Sequence, residues 1–221
     1  GSLRLGCAHG SDADLQTYLG PMFPLDVFRA CLAELSARAD LTQYSSPIAM
    51  DDLNDVRAAL GYGKINLYGG SYGTRAALVY MRQHPDTVRS AILEGVAPLA
   101  FTNPLYHARE AQAALDEIFA ECEATPECHE AFPDLRREFE DVLARLAHEP
   151  VTVSIAHPDT GEPVDVRLTR ADFAEALRVL LYYLPTSRQV PLLVDRAAKG
   201  DFEPFASAAI ASNRGLRRIV A

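Results

Sequence analysis

The sequence predicts an α/β chain: a β-α-β unit in the first half, then a mainly helical block interrupted by one β-hairpin. Three observations carry this. Residues 65–68 form a short apolar run suited to a buried parallel strand. The run leads through Gly69-Gly70-Ser71-Tyr72-Gly73 into helix formers at 76–81, and a second apolar strand follows at 90–94. Strand, crossover helix and strand in that order are the signature of a parallel sheet. From Pro98 onward the apolar spacing turns helical, over about 105–121, 133–147, 170–183, 188–198 and 202–220. Between these, residues 151–155 and 164–168 alternate apolar and polar around Pro158-Asp159-Thr160-Gly161-Glu162-Pro163, which reads as a hairpin.

Ahead of the β-α-β unit the chain is loop-rich up to residue 46. One helix is expected there, over about 24–39, with apolar positions Val27, Leu32 and Leu35. A second helix starts near Pro47, with Ser46 as N-cap and Asp51 and Asp52 in its first turns. It runs through Leu53, Val56 and Leu60 and stops at Gly61. The expected organisation is a partial α/β core over 1–98 and a helical cap over 99–221, a lid over a site built at the strand ends.

Composition narrows the function classes. The 221 residues are 48% hydrophobic and 23% charged, ordinary for a globular protein. A net charge of −9 and the lack of any Lys/Arg-rich run argue against nucleic acid or an anionic membrane as partner. The longest apolar stretches fall far short of the ~20 residues of a membrane span, and the first residues are not a signal peptide. Lysine occurs only at 64 and 199, with arginine supplying the other cations, a bias that points to a GC-rich genome.

Four cysteines form two local sets. Cys122 and Cys128 bracket an acidic loop between two helical stretches, and Cys7 and Cys31 flank a segment containing Gly and Pro. An even count in loop-like settings predicts Cys122–Cys128 and Cys7–Cys31 disulfides and an oxidising, extracellular or periplasmic compartment. Four free thiols in a cytosolic enzyme is the alternative. A zinc site lacks a second close pair or matched histidines, so no metal is expected.

The chemistry centres on Gly69-Gly70-Ser71-Tyr72-Gly73, which fits the G-x-S-x-G nucleophile elbow, a strand turning abruptly into a helix with a serine at the bend. The strained serine backbone is expected to leave no room for side chains at Gly69 and Gly73.

Together with residues 44–75, His84-Pro85, Leu93-Glu94-Gly95-Val96-Ala97-Pro98 and the Cys122 to Cys128 loop, this motif resembles the secreted tripeptidyl-aminopeptidase-like branch of the α/β-hydrolases, relatives of the proline iminopeptidases. The resemblance covers most of the chain. It implies that Ser71 is the nucleophile, that the Tyr72 backbone N–H is one oxyanion donor, that the substrate is a peptide or small ester, and that no cofactor is used. An acyl-transfer serine also needs a histidine base, an acid to hold it and a second oxyanion donor. In α/β-hydrolases acid and base follow the serine on later strands. Nothing after residue 98 reads as those strands, and the oxyanion loop that precedes the elbow in the family has no counterpart. The chain therefore resembles the middle of a serine peptidase plus its cap.

The histidines present do not fill the gap. His84 ends the elbow helix, His107, His129 and His148 fall in cap helices or at their ends, His157 opens the hairpin turn, and His9 follows no strand. Glu94 ends the strand after the elbow helix, where α/β sheets place ligands. It is read either as the carboxylate that binds a substrate's free α-amine or as a rim acid paired with an arginine such as Arg75. Three functional readings follow: a serine hydrolase of aminopeptidase or esterase type acting through a Ser71 acyl-enzyme, a hydrolase remnant acting as a binding module, or a polypeptide completed by another chain or an oligomeric partner.

Overall fold

A computed structural model describes residues 5–6 and 11–220, and of 218–220 the backbone alone. The chain divides into two compact units, Leu32–Tyr106 and Gly1–Cys31 with His107–Ala221. The division falls inside the first helix, α1 (Leu25–Ser36).

The Leu32–Tyr106 unit is built as the sequence predicts. Helix α2 (Ser46–Ala59) precedes strand β1 (Ile65–Gly70), helix α3 (Tyr72–Gln83) and strand β2 (Val88–Glu94). β1 and β2 pair in parallel from Ile65↔Val88 to Gly70↔Glu94, with an irregularity after Ile65. Helix α3 lies on the sheet and buries Thr74, Ala77, Val79 and Tyr80. The apolar core is small: Leu67, Ala77 and Tyr80 are buried, with Met50, Ile65, Met81, Val88 and Leu93 packed around them. Alternation along β1 turns Leu67 and Gly69 inward and leaves Asn66, Tyr68 and Gly70 exposed. Tyr68 is 71% exposed and Ile92, its register partner, 64%.

Helix α2 departs from expectation at its start. Its N-cap is Ser45 rather than Ser46, and that residue makes no side-chain capping bond. The hydroxyl of Ser46 instead meets the Tyr72 hydroxyl at 2.6 Å. Leu53, Val56 and Leu60, apolar positions along this helix, are 39%, 54% and 63% exposed. Polar bonds join it to α3: the Gln83 amide donates to Asp51 and to the carbonyl of Pro47, and the Tyr80 hydroxyl donates to Asn54. Leu60 caps the helix, and Gly61 follows at φ +73°, a left-handed conformation that suits glycine.

The other unit is mainly helical. Helix α4 (His107–Ala124) leads through Thr125 into the short α5 (Pro126–Ala131), and α6 (Leu135–His148) follows. Strands β3 (Val151–Ala156) and β4 (Pro163–Leu168) form the antiparallel hairpin, in register from Val151↔Leu168 to Ala156↔Pro163. Helices α7 (Arg170–Leu180), α8 (Leu184–Ser187), α9 (Val190–Ala198) and α10 (Glu203–Val220) complete it. Thr169 and Asp172 start α7 with a reciprocal capping box. The core is extensive and includes the Phe173–Phe205 ring stack at 4.0 Å.

Residues 11–31 pack with this helical unit, not with the β-α-β unit. Leu15, Tyr18 and Leu19 lie in its core. The Gln16 side chain exchanges two hydrogen bonds with the backbone of Arg167, occupying an edge of β4. Arg214 of α10 pairs with Asp12 and with Asp159 of the hairpin turn. The compact units thus divide the chain differently from the 1–98 and 99–221 expected.

Cys122 and Cys128 are disulfide-bonded across the α4–α5 junction. Cys7 lies outside the described residues, and with it the expected pairing to Cys31; His9 does too. Among the described residues, no helix is long and apolar enough to cross a membrane.

Candidate active site

The junction of β1 and α3 places Ser71. Its backbone sits at φ +50°, ψ −120°, the one positive φ outside glycine among the described residues. Such a conformation costs on the order of 1–3 kcal/mol and persists only where surrounding structure imposes it. Three constraints impose it here. The Ser71 N–H donates to the Glu94 carbonyl at 3.0 Å, the last rung of the β1–β2 ladder. The Ser71 carbonyl accepts from the Thr74 N–H at 3.0 Å and from the Thr74 hydroxyl at 2.7 Å. And the backbone turns so sharply that a Cβ on Gly69 would lie 2.4 Å from the Gly73 carbonyl oxygen and 2.8 Å from the Thr74 nitrogen.

Glycine is therefore required at position 69 by close approach. The same reason does not extend to Gly73, where a Cβ would meet nothing within 4 Å. The crowding is one-sided because the backbone of Gly73 is itself what a side chain at 69 would strike.

Ser71 stands at the N-cap of α3, yet its hydroxyl makes no capping bond to the helix. Exposed and without that intrahelical task, Oγ is available for chemistry. The Tyr72 N–H begins the helix, where backbone donors have no intrahelical acceptor, and the helix dipole adds partial positive charge at that end. An anion forming beside Ser71 meets an oriented donor and a favourable field.

Glu94 closes β2 beside this junction. Its carboxylate accepts the Tyr68 hydroxyl at 2.5 Å across the exposed face of the sheet. That bond, then the carboxylate's charge, raises the Tyr68 phenol above its ordinary value. Arg75 is not the partner of Glu94. Its guanidinium donates to the carbonyls of Pro98, Leu99 and Phe101 instead, gathering the turn that follows β2.

His84 does not approach Ser71. It caps the far end of α3, about 18 Å along the helix axis. There its Nε2 meets Asp51 Oδ1 at 2.8 Å and its ring lies against Tyr80. His157 organises the hairpin turn: Nε2 meets the Asp12 carbonyl at 2.8 Å, and Nδ1 accepts from the backbone of Asp159 and Thr160. His107 opens α4, His129 lies in the last turn of α5 and His148 in that of α6.

Sequence reasoning missed Thr74, which is fully buried and also accepts the Ala97 N–H at 2.9 Å. A signal was available, since a threonine three residues past a turn residue is spaced to bond back to its carbonyl.

Comparison with known proteins agrees with this geometry. A family model of the alpha/beta hydrolase fold matches residues 34–130, the stretch that holds β1, the elbow, α3 and β2. Serine protease Hip1 of Mycobacterium tuberculosis is 39% identical over 80 residues, 35% of this chain and 15% of that protein. Tripeptidyl aminopeptidase of Streptomyces lividans is 38% identical over 80 residues, 36% of this chain and 14% of that protein. YuaR of Escherichia coli is 25% identical over 157 residues, 68% of this chain and 31% of that protein. The chain spans under a third of the length of each of these relatives. Strand, strained serine, helix and parallel strand occur within the matched residues in the order of the alpha/beta hydrolase fold, and over this stretch the chain is similar to relatives named as peptidases.

Proposed function

We propose that the chain carries the nucleophile of a serine hydrolase, most simply an aminopeptidase-like peptidase releasing single residues or short peptides from a free N-terminus, with small esters as alternative substrates. The observation that carries this reading is Ser71 at φ +50° on the strand-to-helix bend, its hydroxyl unused by the helix it opens. Ser71 Oγ attacks the scissile carbonyl, and the Tyr72 N–H donates to the oxyanion as it forms. As that intermediate collapses, the serine proton passes by way of a general base to the departing amine or alcohol, leaving an acyl-Ser71 ester for water to hydrolyse. Glu94, an exposed carboxylate at the strand end, binds the substrate's α-ammonium group, the charge an aminopeptidase must recognise. Residues 1–98 act as core and 99–221 as cap in this reading. The Cys122–Cys128 disulfide supports an extracellular or periplasmic setting.

A second reading has a specific observation in its favour. His84 is engaged by Asp51 at the far end of α3, so the Leu32–Tyr106 unit places no histidine of its own beside Ser71. A binding module, or a site completed by another chain, fits that fact.

Fluorophosphonate labelling of the full chain, located by peptide mass spectrometry, separates the readings. Covalent modification at Ser71, with p-nitrophenyl ester release abolished in Ser71→Ala, supports the hydrolase. An unmodified Ser71 in a folded chain leaves the binding module. Labelling that rises with concentration alongside a sedimentation mass above that of one chain identifies completion by a partner.

A further inference from the structure

The peptide unit joining Ser71 to Tyr72 has two ends with opposite tasks. Its N–H is the oxyanion donor of the proposed reaction, on which this inference rests. Its C=O accepts two hydrogen bonds, both from Thr74: the backbone N–H at 3.0 Å and the side-chain hydroxyl at 2.7 Å. A peptide unit is planar and trans, so the direction of the oxygen fixes that of the hydrogen. A carbonyl oxygen has two lone pairs, and Thr74 occupies both.

Thr74 itself has no freedom to turn. It is fully buried, its one hydroxyl proton is spent on Ser71, and its oxygen accepts the Ala97 N–H at 2.9 Å. Ala97 belongs to the segment leaving β2, which Arg75 holds through three carbonyls. The elbow is thus tied to the neighbouring strand at two points, through the Ser71 N–H to Glu94 and through the Thr74 hydroxyl to Ala97.

We propose that Thr74 is a positioning residue that aims the Tyr72 N–H at the oxyanion by clamping the opposite end of its peptide plane. Serine at 74 keeps the hydroxyl, and valine keeps the shape without it. The donor matters only when negative charge develops, so loss of aim slows phosphonylation and turnover while leaving ground-state binding alone.

The test compares the full chain with Thr74→Val, Thr74→Ser and Thr74→Ala, measuring second-order fluorophosphonate labelling of Ser71, ester kcat and KM, and the melting temperature. Expected is a fall of about tenfold to a hundredfold in labelling rate and kcat for Thr74→Val, less than the roughly 10²–10³ lost when an oxyanion donor is removed outright. KM stays where it was, and Thr74→Ser restores most of the loss. A folded Thr74→Val that labels at the wild-type rate overturns the role of Thr74 while leaving Ser71 as nucleophile. Equal losses in Thr74→Val and Thr74→Ser overturn it too, since packing rather than the hydroxyl would then matter. If Thr74→Val does not fold, Thr74→Ala carries the comparison, and its failure to fold means that the hydroxyl holds the fold rather than aims the donor. A wild-type chain not labelled at Ser71 removes the parent reading, and the proposal with it.

Discussion

At the scale of single residues, two positions at the end of β1 and just past it behave differently. Ser71 is held in a costly backbone conformation by the β1–β2 ladder and by Thr74. Tyr68 is exposed and held by one bond, to Glu94. That bond favours the protonated phenol, so its stabilising contribution is fully present below the ordinary phenol pKa of about 10 and is lost as pH rises through the raised value. In an NMR titration of ring-labelled tyrosine, the resonance absent from Tyr68→Phe should ionise above the ordinary value, and Glu94→Gln should return it there. A Tyr68 titration that Glu94→Gln does not move would mean that the pair does not form in solution. Ser71 was legible in the sequence because a backbone demand writes itself as glycine: only Gly69 tolerates the approach of residues 73 and 74. Thr74, Tyr68 and the true partners of Arg75 were not legible. Their roles depend on which backbone atoms the fold brings near, and many residue types satisfy such contacts.

Among the elements, the α6–α9 packing carries a built-in liability. Glu138 Oε2 is buried with no hydrogen-bond partner. Burial first, and the charge of Asp195 next, raise the Glu138 carboxyl above its ordinary value, although Lys199 and Arg137 pull it back. Asp195 is itself buried and gives its carboxylate to Lys199 at 2.5 Å. A raised carboxyl favours folding while protonated, so its contribution is fully present below the ordinary value of about 4.3 and is lost as pH rises through the shifted one. Glu138→Gln should therefore be more stable than wild type at pH 7, by about 1 kcal/mol, and no more stable at pH 4. Denaturant midpoints at the two pH values check this; an equal gain at both would mean that charge is not the cause. The long elements were legible because their apolar periodicity reports burial. Helix α2 shows where that fails: Leu53, Val56 and Leu60 have helical spacing but lie exposed, while Asp51 and Asn54 of the same helix bond to Gln83 and Tyr80 of α3. The short α5 and α8 were missed because six and four residues are too few to show a period.

For the whole molecule, the two units have unequal means of holding themselves together. The helical unit has a continuous core running from Leu15 through Phe119 and Phe173 to Ile210, and the Cys122–Cys128 link closes its α4–α5 turn. The Leu32–Tyr106 unit has a core cluster of only three buried apolar residues, Leu67, Ala77 and Tyr80, and a sheet of two strands. Parallel sheets are ordinarily covered on both faces. Here α3 covers one, while Tyr68 at 71% and Ile92 at 64% exposure mark the other. Among the described residues each strand has one partner, so the outer edges of both offer unpaired backbone groups to any strand that can reach them. Local opening free energy follows buried contacts and protected backbone bonds, so amides of β1 and β2 should exchange with solvent much faster than those of α7, α9 and α10. Native-state hydrogen exchange by mass spectrometry reads this directly. Peptides spanning 65–70 and 88–94 should lose protection at denaturant concentrations that leave 170–180 and 203–215 untouched. Addition of whatever covers the open face should slow exchange in the strands and leave the helices unchanged. Equal protection in both units of a strictly monomeric chain would refute this, and would mean that two strands and one helix suffice to hold Ser71 in its strained conformation.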